Sequence, residues 1–287
     1  MTSRSLLNLT MLVAVASLAV WVYFKPKPQN DPQEYRISSQ AAENVQSLRI
    51  ERQGVEEIVL QKTGENWDLL EPIQGRADEI KVGQILEILT ATSLRRFPAI
   101  DLERFDLLQP AARLYVDKEL FSFGGFVPIT NEQYVANNGN IHLLAPRYAT
   151  MLARQPIDLL SPRLFAQGEI PVGFEFERVK VMEWDDGWRI APEKLKSSLT
   201  QNEFIHWVQS WQQAYAAGLS LSAEGPSQTG DGKQGIKITL RGGGGIQLII
   251  LQQQPELVLL RVDTGVRYRF PGEMGRRLLD PYTAAGG

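Results

Sequence analysis

Two histidines, His142 and His206, are the only imidazole side chains in the chain, and cysteine is absent. A zinc centre or a base-assisted nucleophile would have to be built around them, yet they lie far apart and in no H-E-x-x-H arrangement, with no thiolate to complete a ligand set. Both are expected to be structural or exposed. Around Ser122 the order is Phe121-Ser122-Phe123-Gly124-Gly125, with aromatic rings where the nucleophile elbow of a hydrolase needs glycine. Gly242 to Gly245 and Gly230-Asp231-Gly232-Lys233 look like phosphate loops at first sight. The first leads into a strand pattern and the second has Gln234 where Ser or Thr is required, so both are expected to be loops or turns. The carboxylate pairs Glu56-Glu57 and Asp185-Asp186 fall in turn-rich stretches, where solvation accounts for them without acid–base chemistry. No catalytic, cofactor-binding or metal-ligating residue is assigned, and a non-catalytic protein is expected, with a hydrolase of dispersed site as a rival.

One further set has the right side chains for recognition. Trp207, Trp211 and Tyr215 recur at helical spacing, which reads first as a core stripe. If exposed, the same rings would form a stacking platform for a sugar or a peptide. Gln228, Asp231 and Lys233, in the polar Ser222–Gln234 stretch that follows, would line its side. These six residues are the candidate binding surface.

The elements that must position them are legible from the patterning. Leu48-Arg49-Ile50, Ile58-Val59-Leu60 and Trp67-Asp68-Leu69-Leu70 read as short strands joined by turns at Gly54 and Gly64. Val82, Ile85, Leu86 and Leu89 then fit one face of a helix running from Asp78 to about Leu94. From Ala111 to Leu152 four strands are expected, with Asn138-Gly139 as a hairpin signal, closed by a short helix from about Arg147 to Ala153. After Phe174 the order recurs. There is a hairpin at Asp186-Gly187 ending in Trp188, a proline, and a helix behind the capping box Thr200-Gln201-Asn202-Glu203. Strands near Ile236–Leu240, Ile246–Leu251, Leu257–Val262 and Val266–Phe270 follow, then a helix from Glu273 to Leu279. Trp67 precedes Gly139 by almost the interval at which Trp188 precedes Gly265, which favours an internal duplication. The expectation is an α+β protein with two tandem modules, each ββ-α-ββββ-α with one amphipathic helix laid on a mostly antiparallel sheet. Residues 45–165 form the first module and 166–287 the second.

Before the modules lies Leu6–Phe24, an uncharged apolar run long enough to cross a bilayer. The aromatic cluster Trp21, Tyr23, Phe24 and the following Lys25 and Lys27 are interfacial anchors. Residues 1–25 are thus expected to be an uncleaved membrane anchor, in preference to a signal peptide cut near Ala14-Val15-Ala16. Residues 26–44, rich in proline at their start, are expected to be a linker. With 30 basic and 33 acidic residues in 287 and no basic cluster, nucleic acid is not an expected partner.

The Trp67-Asp68-Leu69-Leu70-Glu71-Pro72 stretch before Ala77-Asp78, Phe105-Asp106-Leu107 with Pro110-Ala111, Phe123-Gly124, Tyr134-Val135 and Ile141 to Leu144, together with the N-terminal apolar segment, resembles the bacterial envelope family catalogued as domain of unknown function 4340. Asp106 departs from the glycine usual at that turn. The resemblance covers Val45 to Phe165, and it carries over no catalytic residue or cofactor. It implies a single-pass inner-membrane protein with the bulk of the chain in the periplasm. Such a protein would act as a binding or scaffolding part of an envelope complex, with an ABC-type exporter of the gliding-motility kind as one setting. A groove between the modules that takes glycan or peptide is the alternative.

Overall fold

A computed structural model describes residues 3–24, 34–192, 199–222 and 234–280; the side chains of residues 3–9 and 22 fall outside the description. Gln228, Asp231 and Lys233 lie outside the described residues. So do Lys25 and Lys27 and most of the polar Ser222–Gln234 stretch.

Ser3–Phe24 forms the 22-residue helix α1. Among the described residues no helix is long and apolar enough to cross a membrane. The side chains described from Met11 to Trp21 include seven large apolar groups, each more than half exposed.

The rest is mixed α and β, with mostly antiparallel sheets and few helices. In the first half the strands are β1 (Tyr35–Arg36), β2 (Ser47–Arg52), β3 (Ile58–Thr63), β4 (Asn66–Glu71), β5 (Gly75–Arg76), β6 (Thr92–Ser93), β7 (Arg96–Pro98), β8 (Ala112–Val116), β9 (Glu119–Phe126), β10 (Gln133–Asn137) and β11 (Asn140–Leu144). Helix α2 (Glu79–Leu86) lies between β5 and β6, and α3 (Arg147–Thr150) follows β11. The second half has β12 (Pro171–Glu175), β13 (Lys180–Trp184), β14 (Gly187–Ala191), α4 (Gln201–Gln212), β15 (Gly218–Leu221), β16 (Gly235–Leu240), β17 (Gly245–Gln252), β18 (Leu257–Arg261), β19 (Val266–Phe270) and α5 (Gly272–Leu279).

The strands build two large sheets. Their orders are β5-β4-β3-β2-β8-β9-β10-β11-β7 and β14-β13-β12-β16-β17-β18-β19-β15. From β4 and β14 to β7 and β15 these orders coincide strand for strand. Alternation marks both: in β8 Ala112, Leu114 and Val116 enter the core between partly exposed neighbours, and in β16 Ile236 and Ile238 do so between exposed ones. Asn138 and Gly139 both have positive φ, 45° and 75°, as the two-residue hairpin between β10 and β11 requires. Gly242 and Gly243, also at positive φ, make the turn from β16 to β17, so no phosphate loop forms there.

Helix starts follow the caps. Asp78 accepts from the Ile80 N–H at 3.0 Å at the start of α2. Thr200 and Glu203 cap each other's backbone at the start of α4. Helix ends depart from expectation. α2 stops at Leu86 and tightens into a 3-10 turn, Glu87–Thr90, because Ile88 and Leu89 must both turn inward. α4 stops at Gln212, so Tyr215 lies beyond the helix.

Each sheet has a strap along one side. β1 pairs with β6, and Ile37 N–H donates to Ala91 O at 3.1 Å. In the second half Arg163 bridges to Tyr215 and Leu164 N–H donates to Ala214 O at 3.3 Å. The second strap also binds the first sheet, since Ala77 bridges to Leu160, Asp78 N–H donates to Leu159 O at 2.7 Å and Ser161 N–H donates to Arg76 O at 2.9 Å. Residues Leu159 to Leu164 therefore lie hydrogen-bonded between the two halves. The buried apolar residues run through Leu159, Leu160, Leu164 and Phe165 as one connected core.

Candidate binding groove between the two sheets

Of the six residues singled out above, the structure splits the aromatic three. Trp207 and Trp211 are 0% exposed. Both pack on Phe174, at ring separations of 4.7 and 5.3 Å, and Trp207 Nε1–H donates to Leu278 O at 3.1 Å. They are core residues and present no platform. The physical reason is that α4 covers a sheet whose inner face needs large side chains to fill the gap. Tyr215, past the helix end, is 49% exposed.

Tyr215 stands instead in a groove of about 570 Å³ between the halves. One wall comes from the edge of the first sheet, where Asn66, Trp67 and Asp68 on β4 neighbour Arg76 on β5. The strap supplies Arg163, Phe165 and Gln167, and Gln212 and Tyr215 come from the second half. The strap sets this geometry by pairing with both sides at once. Gly75 permits it, because a Cβ there would stand 2.8 Å from Leu160 Cδ2.

Two cationic groups, Arg76 in the groove and Arg261 beside it, are already engaged. Arg76 Nη2 donates to the carbonyls of Arg163 at 2.8 Å and Leu164 at 3.3 Å, and Arg76 also hydrogen-bonds Tyr268. Burial pushes the Tyr268 phenol up, against the pull of Arg76 and Arg261. Deeper, Arg261 meets Glu169 at 2.8 Å and Asp263 at 3.0 Å and donates to Leu164 O at 2.7 Å. Burial alone would raise the Glu169 carboxyl, but the Arg261 guanidinium and the Ala166 N–H hold it below its ordinary value. By contrast, Asn66, Asp68, Gln167 and Gln212 make no side-chain hydrogen bond or ion pair among the described residues.

The groove thus offers an exposed phenol ring above the buried Trp67 and Phe165, and several amide and carboxylate groups with unused bonding capacity. That combination suits a polar ligand with flat faces, which is the chemistry of a sugar ring or a peptide backbone. Among the described residues no group of three His, Asp or Glu side chains could hold a metal ion. His206 is exposed on α4 and His142 is buried in β11, and neither lines the groove. Asp68, Gln167 and Gln212 were beyond sequence reasoning, because nothing in their local spacing shows that three segments far apart in the chain converge.

No family model matches the chain, and neither a curated protein nor a solved structure is significantly similar to it.

Proposed function

We propose that this protein is a non-catalytic, membrane-anchored binding protein of the cell envelope, with its groove between the two sheets holding a glycan or an extended peptide. The observation that carries the ligand assignment is the exposed Tyr215 ring beside the unpaired Asn66, Asp68, Gln167 and Gln212. The anchor rests on the apolar Leu6–Phe24 run and on the exposure of the large side chains described between Met11 and Phe24, since such a surface is stable against lipid and not against water. Residues beyond it face the periplasm in this reading. The coincident strand orders and the matching straps support two tandem modules derived from one ancestor.

Muropeptides carry both a glycan and a peptide, so calorimetric titration of the detergent-solubilised chain with them tests the assignment. Saturable binding that Tyr215→Ala weakens by about tenfold is expected, the scale of one aromatic contact. No binding, or binding indifferent to Tyr215→Ala and Gln212→Ala together, overturns it.

A specific observation favours a second reading, a scaffold within an envelope complex such as an exporter. Phe97, Ile100, Phe126 and Ile129 stand exposed on the first half, Ile129 at 94%, and apolar groups of this size suit a protein partner. Mild-detergent purification should then recover a stoichiometric partner, and a clean monomer would sink the idea.

A further inference from the structure

Three neighbouring strands place a set of polar groups on one face at the end of the first sheet. Asn137 pairs with Asn140 and Val135 with His142 across β10 and β11, and His142 pairs with Arg96 on β7. Directly opposed residues share a face, so Asn137, Asn140, His142 and Arg96 look the same way. The first strap brings Arg36, Ser38 and Ser39 over them, closing a pocket of about 340 Å³ that shares no residue with the groove.

The charges there do not balance. Arg36 makes no hydrogen bond or ion pair among the described residues. Arg96 lies over the Tyr35 ring at 4.4 Å, which leaves the edge of its guanidinium unbonded. No carboxylate lines the pocket. The Glu119 carboxylate, outside the lining, accepts from Ser38 Oγ at 2.6 Å, Asn137 Nδ2 at 3.0 Å and Asn138 Nδ2 at 2.9 Å and forms no ion pair with either arginine. His142 is 2% exposed, and its Nδ1, like Asn137 Oδ1, is buried with no partner.

The second sheet shows what the first lacks. Asn137 ends β10 where Arg261 ends β18, and Arg261 is neutralised by Glu169 from the second strap. Counting from the paired Ile37 and Leu164, Ala42 stands in the first strap where Glu169 stands in the second. At the position of Glu169 the first strap therefore has no acid, while Arg36 lies in that strap.

We propose that this pocket binds a phosphate-type oxyanion between Arg36 and Arg96, above the buried His142. Guanidinium groups fit such an anion bidentately, and no internal carboxylate competes for them. The anion is either a phospholipid headgroup or a soluble phosphate ester, since Arg36 follows the end of α1 by only a short stretch of chain. His142 reports occupancy. Burial, and after it the field of Arg96, holds its pKa below the ordinary imidazole value; Arg36 on the strap lines the same pocket, and Glu119 on β9 is hydrogen-bonded to its residues Ser38, Asn137 and Asn138. An anion seated between the guanidiniums offsets the Arg96 field and raises that pKa.

The test follows the pH titration of His142 by NMR in the full chain carrying His206→Gln, which leaves one imidazole. The probes are inorganic phosphate in detergent and nanodiscs of phosphatidylglycerol or phosphatidylcholine. The expected result is an upward, saturable shift of the His142 pKa beyond that of chloride at equal ionic strength. Arg36→Gln and Arg96→Gln should each weaken the apparent affinity by about tenfold while the far-UV circular dichroism is unchanged. A response to inorganic phosphate identifies a soluble ligand, and a response to phosphatidylglycerol discs alone identifies a headgroup. A titration that neither probe moves, or a shift that survives both arginine substitutions, overturns the proposal.

Discussion

Arg261, 5% exposed, clasps Glu169 with two hydrogen bonds at 2.8 and 3.1 Å, tying the end of β18 to the strap that runs between the two sheets. The pair fixes the strap where Arg261 also holds Leu164 O, so the groove wall and this ion pair are one mechanical unit.

An acid limit on stability follows. The folded state lowers the Glu169 pKa, so its contribution is complete above the ordinary carboxylate range and is lost as pH falls through the lowered value. Thermal midpoints measured from pH 7 down to pH 3 should fall less steeply in Glu169→Gln than in the parent. At pH 7 Arg261→Met should cost about 3–5 kcal/mol in denaturant unfolding, because it leaves a half-buried carboxylate uncompensated. A loss below about 1 kcal/mol would show that the clasp contributes little.

The aromatic residues of the second half should separate by role. Trp207→Ala removes a fully buried ring and should destabilise by about 3–5 kcal/mol. Tyr215→Ala should change stability by under about 1 kcal/mol, as expected for a half-exposed side chain, while weakening groove binding. Equal losses of stability would place Tyr215 in the core and remove it from the groove.

Two glycines should respond in opposite directions to alanine. Gly83 lies on the exposed side of α2 with open space about the added methyl, so Gly83→Ala should stabilise by about 0.5–1 kcal/mol. At Gly124 a Cβ would overlap the Phe105 carbonyl and press on Leu107. Gly124→Ala should therefore cost about 1–3 kcal/mol and speed hydrogen exchange in the Leu102–Phe105 turn. Chemical denaturation of the two variants side by side checks both.

For the anchor, the full chain should stay with the membrane fraction through alkaline carbonate washing, and a reporter fused after Gly287 should be active only outside the cytoplasm. Release by carbonate would argue against a span, and cytoplasmic activity would reverse the orientation.

Much of the fold is written locally. Alternation in Ala112–Val116, the Asn138-Gly139 turn and the Thr200–Glu203 capping box each specify an element through nearest neighbours, and β8 to β11 and β16 to β19 appear where that patterning puts them. The recurrence of strands after Trp67 and Trp188 was readable for the same reason. The short strands β1, β5, β6, β7 and β15 were not, since two- to four-residue segments take their conformation from the edges they pair with.

The candidate site divides along the same line. Residue type and spacing determined that the Trp207–Trp211 stripe covers a core and that an apolar run precedes the folded body. Only the tertiary structure decided that α4 ends before Tyr215 and frees that ring for the groove. It also decided that Arg76 and Arg261 are committed to the strap, and that Arg36, Arg96 and His142 meet at one pocket. Those outcomes depend on strand order and register between segments far apart in sequence. A one-residue change in pairing would turn Arg96 and His142 to the opposite face while leaving every local pattern intact.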